Sequence, residues 1–470
     1  MNSKTPLILI STLLWLFYGF FFLNFGKFQD GGWYTCAARA LLEGLQPYVD
    51  FYYPHTPLYL WIYSFLLDFL PAPNPWWGRF LHFLLSTLCL VFCLRKLKIA
   101  GRTNWNWFLV IILINPYFLY FLFQIKSYAI CQILLFGSLY LWIESRKPAA
   151  YFLLSLVSLT RISFFPILLV YLWLDRKQLK PSYFLAYGLP LLTLFFWPWE
   201  SMAQNLFFPI PIPGHTPNPF NEAYFGIQSP QLISMLKDKV GFLLRLMIIF
   251  TPFLILIRHL KNSNVSRLLL WVFWISVLSH VLALKPLDEY LSPVFIPLYF
   301  LLFLHYGAPK RLRAWMIVLI ILSGAHTMVR GIRRFVFPSQ IQQIESLVQK
   351  IRAASAGERE LLLSFDGYVN SMLPGKIQRE TIMARFSFRP EFEPQQAQAL
   401  HVVHPRDVER WIGEKRFSFL LLSTSEMDSF NLAIAGFSDL LRRHYQMEQS
   451  FENLTETEQE SYLWRVKSFD

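Results

Sequence analysis

The sequence predicts an α-helical polytopic membrane protein with about eleven transmembrane helices and a small C-terminal α/β domain outside the membrane. Composition is the first reason, because 54% of the residues are hydrophobic and only 16% are charged. Charge distribution is the second: the first 330 residues hold 26 Lys and Arg against 11 Asp and Glu, whereas residues 331–470 hold 17 against 19. The net charge of +13 therefore belongs to the membrane part, and it is not the footprint of a nucleic-acid-binding surface.

Apolar segments are the third reason. The first one, residues 7–26, has no charged residue over 20 positions, enough to cross a bilayer core at 1.5 Å per residue. No small-residue cleavage site follows it, so it is interpreted as a first span and not as a removed signal. The predicted spans are 7–26, 80–94, 104–123, 127–143, 148–160, 162–174, 182–199, 240–257, 268–284, 290–308 and 314–329.

Basic residues orient these spans. With the N-terminus inside, the inner connectors hold 16 Lys and Arg and only two acids, Glu144 and Asp175. The positive-inside rule therefore predicts a cytoplasmic N-terminus. The expected location is a bacterial inner membrane. The two large loops, 27–79 and 200–239, then lie on the outer face together with the C-terminal tail.

Arg161 decides how residues 148–174 are divided. A single helix would place this cation near the bilayer centre, at a cost of at least ~2.5 kcal/mol. It would also turn every later basic connector outward, against the charge rule. Two short segments that meet at Arg161 near the outer surface satisfy both constraints.

The predicted domains are a transmembrane part, residues 1–334, and an outer-face α/β domain, residues 335–470. An amphipathic helix should open the second domain, because Ser339 can cap it and apolar residues follow at helical spacing. Strand-like runs follow at 360–365, 382–388 and 417–423. The apolar face of the helix comprises Ile341, Ile344, Leu347, Val348 and Ile351.

Metal and disulfide chemistry have little support in the sequence. All four cysteines lie in the first third, so no disulfide framework holds the tail. The pair Asp288 and Glu289 is the only adjacent acidic pair in a predicted outer connector after the first loop, which is a weak metal signal. No metal ion and no cofactor are therefore expected.

The first outer loop is the most informative stretch. Asp30 follows the first span, close to the hydrocarbon boundary, where a carboxylate is a usable proton acceptor. Tyr34, Ala37 and Leu41 then recur at helical spacing, as in a helix that lies along the membrane surface. The alternative interpretation is an interfacial helix with an aromatic belt and one solvated Asp.

The motifs of this loop resemble those of the GT-C superfamily of polyprenyl-phosphate-sugar-dependent glycosyltransferases, in its protein O-mannosyltransferase and aminoarabinose-transferase branch. The resemblance covers about 30 residues at motif level. Three departures are Gly31 in place of an acid, His55-Thr56 in place of a basic residue, and Gln124-Ile125-Lys126 at a second acidic site. The matching residues are Asp30, Tyr34, Ala37, Gly44, Gln46-Pro47-Tyr48 and Pro57-Leu58-Tyr59-Leu60-Trp61.

The resemblance implies an inverting membrane glycosyltransferase that transfers a sugar from a polyprenyl-phosphate donor to a glycan, lipid or protein acceptor at the non-cytoplasmic face. Asp30 would be the general base. Asp50 and His55 would line the sugar or acceptor pocket. The donor phosphate would be bound by Arg161, Lys285 and Tyr290.

Other interpretations stay open at this stage. A lipid-linked-glycan flippase or transporter predicts midplane charges and paired broken helices, and the sequence shows neither an internal repeat nor a midplane acid. A non-catalytic membrane scaffold predicts nothing special at Asp30. Arg161 and Lys285 could each be a cation that extends to the interface, and His280 could be a hydrogen-bonded packing residue.

Overall fold

The structure is a computed structural model, and most of the residues that it describes are helical. The chain divides into two compact units. The first comprises Met1–Leu23, Arg79–Phe196 and Ala223–Val336, and the second comprises Asn24–Gly78, Trp197–Glu222 and Phe337–Asp470. The described residues are 5–24, 31–70, 75–100, 105–199, 201–202, 229–258, 263–281, 288–306, 318, 321–322, 324–325, 329, 340–354, 360–373, 378–390, 392–452, 454 and 460–467.

The first unit is built from apolar helices around an aromatic core, in which for example the rings of Phe118 and Phe295 stack at 4.6 Å. The helices of both units are numbered here in chain order. Those of the first unit are α1 (Thr5–Asn24), α4 (Pro75–Ile99), α5 (Trp105–Leu113), α6 (Pro116–Phe123), α7 (Tyr128–Ile143), α8 (Lys147–Thr160), α9 (Ile167–Asp175), α10 (Pro181–Leu191), α11 (Ser229–Arg258), α12 (Asn264–Val281) and α13 (Ser292–Tyr306).

Three helices within the described ranges are long and apolar enough to cross a membrane: α4, residues Leu236–Arg258 of α11, and α12. The pair α6 and α7 passes the same test as one span, although it is bent by 106° at the break between the two helices. Shorter apolar helices accompany them, including Leu9–Asn24 and Ile162–Asp175. The first unit is therefore a helical bundle with several apolar helices, and the count of eleven spans stays a prediction.

The break at Arg161 is confirmed. Helix α8 ends at Thr160, and Arg161 has an extended backbone with φ −149° and ψ 108°. A 3₁₀ turn at Ile162–Phe164 leads into α9. Because the extended residue interrupts the helical hydrogen-bond ladder, its side chain can leave the line of both helices.

The second unit contains the helices of the first loop and the helices and strands of the C-terminal tail. Its four-stranded sheet has the order β1-β2-β4-β3, in which β1 pairs with β2 in parallel and the other pairs are antiparallel. The elements are α2 (Gly31–Leu42), α3 (Leu58–Asp68), α14 (Gln340–Ala353), β1 (Glu360–Ser364), α15 (Gly367–Met372), α16 (Pro394–Ala399), α17 (Pro405–Gly413), β2 (Phe417–Ser423), α18 (Thr424–Ala433), α19 (Phe437–His444), β3 (Tyr445–Phe451) and β4 (Ser461–Val466).

The tail contains several of its predicted elements. Helix α14 forms with the five predicted apolar residues buried on one face, and the runs at 360–365 and 417–423 become β1 and β2. The predicted strand at 382–388 is wrong, because this run forms 3₁₀ turns around Ala384–Ser387. Ile382, Met383 and Ala384 are all buried in succession, a pattern that a turn allows and an alternating strand does not.

Candidate functional site

The predicted site residues fall into two groups. Asp50 and His55 belong to the second unit, and Arg161 and Tyr290 belong to the first. Asp30 and Lys285 lie outside the described residues.

Arg161 lies between two aromatic rings of the first unit. Its guanidinium carbon is 4.7 Å from the centroid of the Tyr128 ring and 5.2 Å from that of Tyr290. Its Nη1 donates to Ser127 Oγ at 3.2 Å. The rings hold the guanidinium plane by cation–π attraction, so the fold brings the predicted residues Arg161 and Tyr290 together.

A buried ion pair lies next to Tyr128, with Lys126 Nζ 5.6 Å from the centroid of its ring. Lys126 Nζ is 2.8 Å from Glu289 Oε1, and both side chains are less than a tenth exposed. The Tyr128 hydroxyl donates to the same carboxylate oxygen at 3.0 Å. The ammonium and the hydroxyl thus satisfy a carboxylate whose burial would otherwise be costly.

Asp288 forms a second ion pair beside the first. Its two carboxylate oxygens lie 2.9 and 3.2 Å from Arg245 Nε on α11. The adjacent acids Asp288 and Glu289 therefore each contact a different cation, Arg245 on α11 and Lys126 in the break between α6 and α7. Within the described ranges, no group of three His, Cys, Asp or Glu side chains is close enough to hold a metal ion.

Sequence reasoning missed this pairing. It noted Lys126 only as a departure from the second acidic site and considered Asp288 and Glu289 only as weak metal ligands. A buried Lys and a buried acid that are 163 positions apart give no local signal in one sequence. The location of Lys126 at the break between α6 and α7 was the one available hint.

Asp50 holds the turn of the first outer loop. Its Oδ2 accepts from the Gln46 backbone N–H at 2.9 Å, and its Oδ1 lies 3.2 Å from Arg379 Nη1. Tyr48, two residues earlier, has a positive φ of 67°, which is uncommon for a residue other than glycine. Asp50 therefore stabilises a constrained turn by contacts to its own loop and to the tail.

His55 belongs to an aromatic stack in the same unit. Its ring centroid is 5.3 Å from that of Trp33 at an interplanar angle of 10°, and 5.7 Å from that of Tyr34. The Tyr48 hydroxyl donates to the His55 backbone carbonyl. The loop thus presents the imidazole as one face of a stack of flat rings.

Helix α2, which begins one residue after Asp30, is anchored to α15 of the tail. The Cys36 thiol donates to the Gly367 carbonyl at 3.0 Å, and burial raises the pKa of Cys36, which keeps it a thiol. Arg39 Nη1 donates to the Ser371 carbonyl at 3.0 Å. The tail therefore fixes the helix that follows the predicted base.

Asp366 caps α15 at this crossing. Its Oδ1 accepts from the Val369 backbone N–H at 2.8 Å. Burial raises the pKa of Asp366 to about 6, although the backbone N–H groups of Val369 and Tyr368 oppose the shift. This carboxyl group therefore changes charge in a mildly acidic pH range.

Comparison with solved structures identifies the fold. The sequence matches no family model and no curated protein. Among solved structures, ArnT from Cupriavidus metallidurans bound to undecaprenyl phosphate superposes with a TM-score of 0.58, and its apo state with 0.55. In both cases the identity is 10% and the alignment covers 98% of each chain.

The apo oligosaccharyltransferase of Archaeoglobus fulgidus gives a TM-score of 0.46 at 10% identity, over 100% of this chain and 75% of that one. ArnT is an aminoarabinose transferase, and both proteins are members of the GT-C superfamily. On the two ArnT superpositions, the chain has a GT-C fold over nearly its whole length, as the motifs of the first outer loop predicted. With this fold and its apolar helices, it is an integral membrane protein.

Proposed function

We propose that the protein is an inverting glycosyltransferase that takes a sugar from a polyprenyl-phosphate donor and transfers it to an acceptor at the non-cytoplasmic face of the membrane. The acceptor is a glycan, a lipid or a protein. The donor phosphate leaves as an anion, so the reaction needs fixed cations where charge develops.

The arrangement around Arg161 carries the proposal. A guanidinium held between Tyr128 and Tyr290 has its plane fixed before any ligand arrives, and it is partly exposed. Arginine can donate two parallel hydrogen bonds to phosphate oxygens, and preorganisation reduces the entropy lost on binding. Tyr290 contributes as the ring that holds the guanidinium, and Lys285 supplies a second cation from the preceding connector.

The buried ion pairs support this role for Arg161. Lys126 pairs with Glu289 and Arg245 pairs with Asp288, so the 3₁₀ turn at Asp288–Leu291 is held from the break between α6 and α7 and from α11. Tyr290 is part of that turn. The ring that orients Arg161 is therefore positioned by charges that are themselves neutralised in pairs.

One structural neighbour supports the nature of the donor. The ArnT structure that gives the highest of these TM-scores holds undecaprenyl phosphate, a single phosphate on a polyprenyl tail. A single phosphate matches one bidentate guanidinium and one ammonium group, which Arg161 and Lys285 would provide. This supports a polyprenyl-phosphate sugar as the donor.

The first loop supplies the remaining roles. Asp30 deprotonates the acceptor hydroxyl, which is typically worth 10²–10⁴-fold in rate. His55 and Asp50 line the sugar or acceptor pocket: the ring stack of His55 offers a flat apolar face, and Asp50 offers carboxylate oxygens held by Arg379. Helix α2 holds the chain that follows Asp30 through its contacts with α15.

The test uses the purified full-length protein with undecaprenyl phosphate carrying mannose, glucose, galactose or aminoarabinose. The proposal expects free undecaprenyl phosphate to be released from at least one donor when an acceptor-containing membrane extract is added. A transporter would move the intact donor across a vesicle membrane without cleaving it. Movement without release, or no binding of any donor, would contradict the proposal.

A further inference from the structure

His280 has a buried hydrogen-bond acceptor beside the Arg161 site. It lies in the last turn of α12 and is 2% exposed. Its ring centroid is 5.2 Å from that of Tyr290, the ring that also contacts the Arg161 guanidinium. On the other side, the ring of Phe164 lies 5.4 Å away, three residues after Arg161.

The hydrogen bond of Nδ1 fixes which ring nitrogen is the acceptor. Nδ1 is 2.6 Å from the Ser276 backbone carbonyl oxygen, which can only accept, so Nδ1 carries the proton. In the neutral imidazole, Nε2 is then a lone-pair acceptor. Among the described residues, Nε2 has no hydrogen-bond partner. A buried polar atom without a partner is uncommon in native proteins and indicates a functional role or a bound species.

Because Nε2 is an acceptor, the ligand group that binds it must be a hydrogen-bond donor. The phosphate of a polyprenyl-phosphate sugar is a diester whose oxygens are acceptors and carry no proton at neutral pH. It can bind Arg161, but it cannot donate to Nε2. A hydroxyl of the attached sugar can donate, and it lies within one sugar ring of the phosphate.

We infer that His280 Nε2 accepts a hydrogen bond from a hydroxyl of the donor sugar and thereby helps to select which sugar is transferred. This inference rests on the proposed function and adds a specificity contact to the same site. A site built to bind a hydroxyl discriminates strongly against an analogue that lacks it, because the buried protein group is left without a partner.

The experiment measures the dissociation constants of two probes for the detergent-solubilised protein: bare undecaprenyl phosphate, and the undecaprenyl-phosphate sugar that the wild type binds most tightly. His280→Leu keeps an apolar side chain of similar size and removes the acceptor. It should weaken binding of the sugar-bearing probe about tenfold and leave bare undecaprenyl phosphate within about twofold. His280→Gln, whose amide oxygen can accept, should recover part of the loss.

Deoxy analogues of the same sugar supply the matched comparison. The wild type should lose about the same tenfold for the one analogue that lacks the contacted hydroxyl, and His280→Leu should lose nothing further with it. Equal weakening of both probes in His280→Leu would overturn the inference, since His280 would then act on the phosphate or on packing. Unchanged binding of both would overturn it as well, in favour of a packing residue.

The binding measurements also distinguish failure of the proposed function from failure of the sugar contact alone. If wild type and Arg161→Ala bind bare undecaprenyl phosphate equally weakly, the donor site itself is wrong, and the inference falls with it. If Arg161→Ala weakens both probes while His280→Leu weakens neither, only the sugar contact is wrong. The thermal unfolding temperature of each variant shows whether it is folded.

Discussion

At the scale of single residues, the proposed function depends on one arginine, Arg161, that the backbone and two rings hold in place. An extended residue between α8 and the following 3₁₀ turn carries the guanidinium out of the helix line. Tyr128 and Tyr290 then fix its plane. A flexible cation would have to be ordered on binding, so this arrangement favours both affinity and orientation.

Arg161→Ala should weaken donor binding or turnover by ~10- to 150-fold, because a charged hydrogen bond contributes about 1.5–3 kcal/mol. Arg161→Lys should recover only part, since an ammonium lacks the planar fork. Arg176→Ala is the matched control: Arg176 also contacts a ring, with its guanidinium 5.2 Å from Trp173, but it is exposed. Titration of labelled undecaprenyl phosphate provides the measurement, and equal effects at both positions would contradict the assignment.

Asp366 gives a pH dependence of stability. Its folded-state pKa of about 6 lies above the ordinary value of 3.8, so the folded state binds the extra proton. The stability that this group contributes is present below pH 4 and is lost as the pH rises through 6. Two pKa units correspond to roughly 3 kcal/mol.

Asp366→Asn removes this titration and keeps an N-cap, because Asn caps helices about as well as Asp. The variant should therefore have a flatter dependence of thermal unfolding temperature on pH between 4 and 6 than the wild type. Unfolding scans of the full-length protein at pH 4, 5, 6 and 7 test this. A slope that persists unchanged in the variant would show that another group is responsible.

At the scale of elements, the tail holds the first outer loop by a close crossing of two helices. Gly32 of α2 and Gly367 of α15 lie against each other: a Cβ on Gly367 would be 2.4 Å from backbone atoms of Gly32 and Trp33. Neither backbone can yield without moving its helix. The crossing therefore requires glycine at both positions, which a single sequence does not reveal.

Gly367→Ala should lower the free energy of unfolding by ~1–3 kcal/mol, the usual cost of overpacking. Gly413→Ala is the control in the same unit, because a Cβ there would meet nothing within 4 Å. That change should be neutral or slightly stabilising. Thermal unfolding of the two variants compares them, and equal stability would mean that the crossing is looser than the structure has it.

Elements could be predicted where local patterns decide them. Periodicity and capping were sufficient for α14, and the cost of a buried cation was sufficient for the break at Arg161. The strands β3 and β4 were not predicted, because β3 is an edge strand whose residues Gln446–Ser450 are exposed and mostly polar. Its pairing with β4 depends on tertiary context and not on its own apolar pattern.

The candidate site could be predicted only in part. Arg161 and Tyr290 were each recognised from a local signal, a cation near a membrane in one case and a motif-like loop in the other. The structure shows that they are neighbours. Lys126, Tyr128 and Glu289 were not assigned to the site, since their contacts join distant segments. Which charges pair in a bundle is decided by packing, which one sequence without homologues does not show.

At the scale of the whole molecule, the basic connectors predict the orientation in the membrane. In a cysteine-free background, single cysteines at Ser263 and Ser355 should react with an impermeant maleimide from opposite sides. The four native cysteines are all buried, so replacing them could disturb packing. An unchanged thermal unfolding temperature would show that the cysteine-free protein is still folded. Labelling of both positions from one side would contradict the predicted arrangement of eleven spans.

The central claim is sugar transfer from a lipid phosphate with Asp30 as the base. Its most direct test is the rate at which purified Asp30→Asn protein releases undecaprenyl phosphate from the best donor, with Asp68→Asn, an exposed acid at the end of α3, as control. The account predicts a fall of at least ~10² for Asp30→Asn with donor binding retained, and no change for Asp68→Asn. Near-normal release by Asp30→Asn would contradict it.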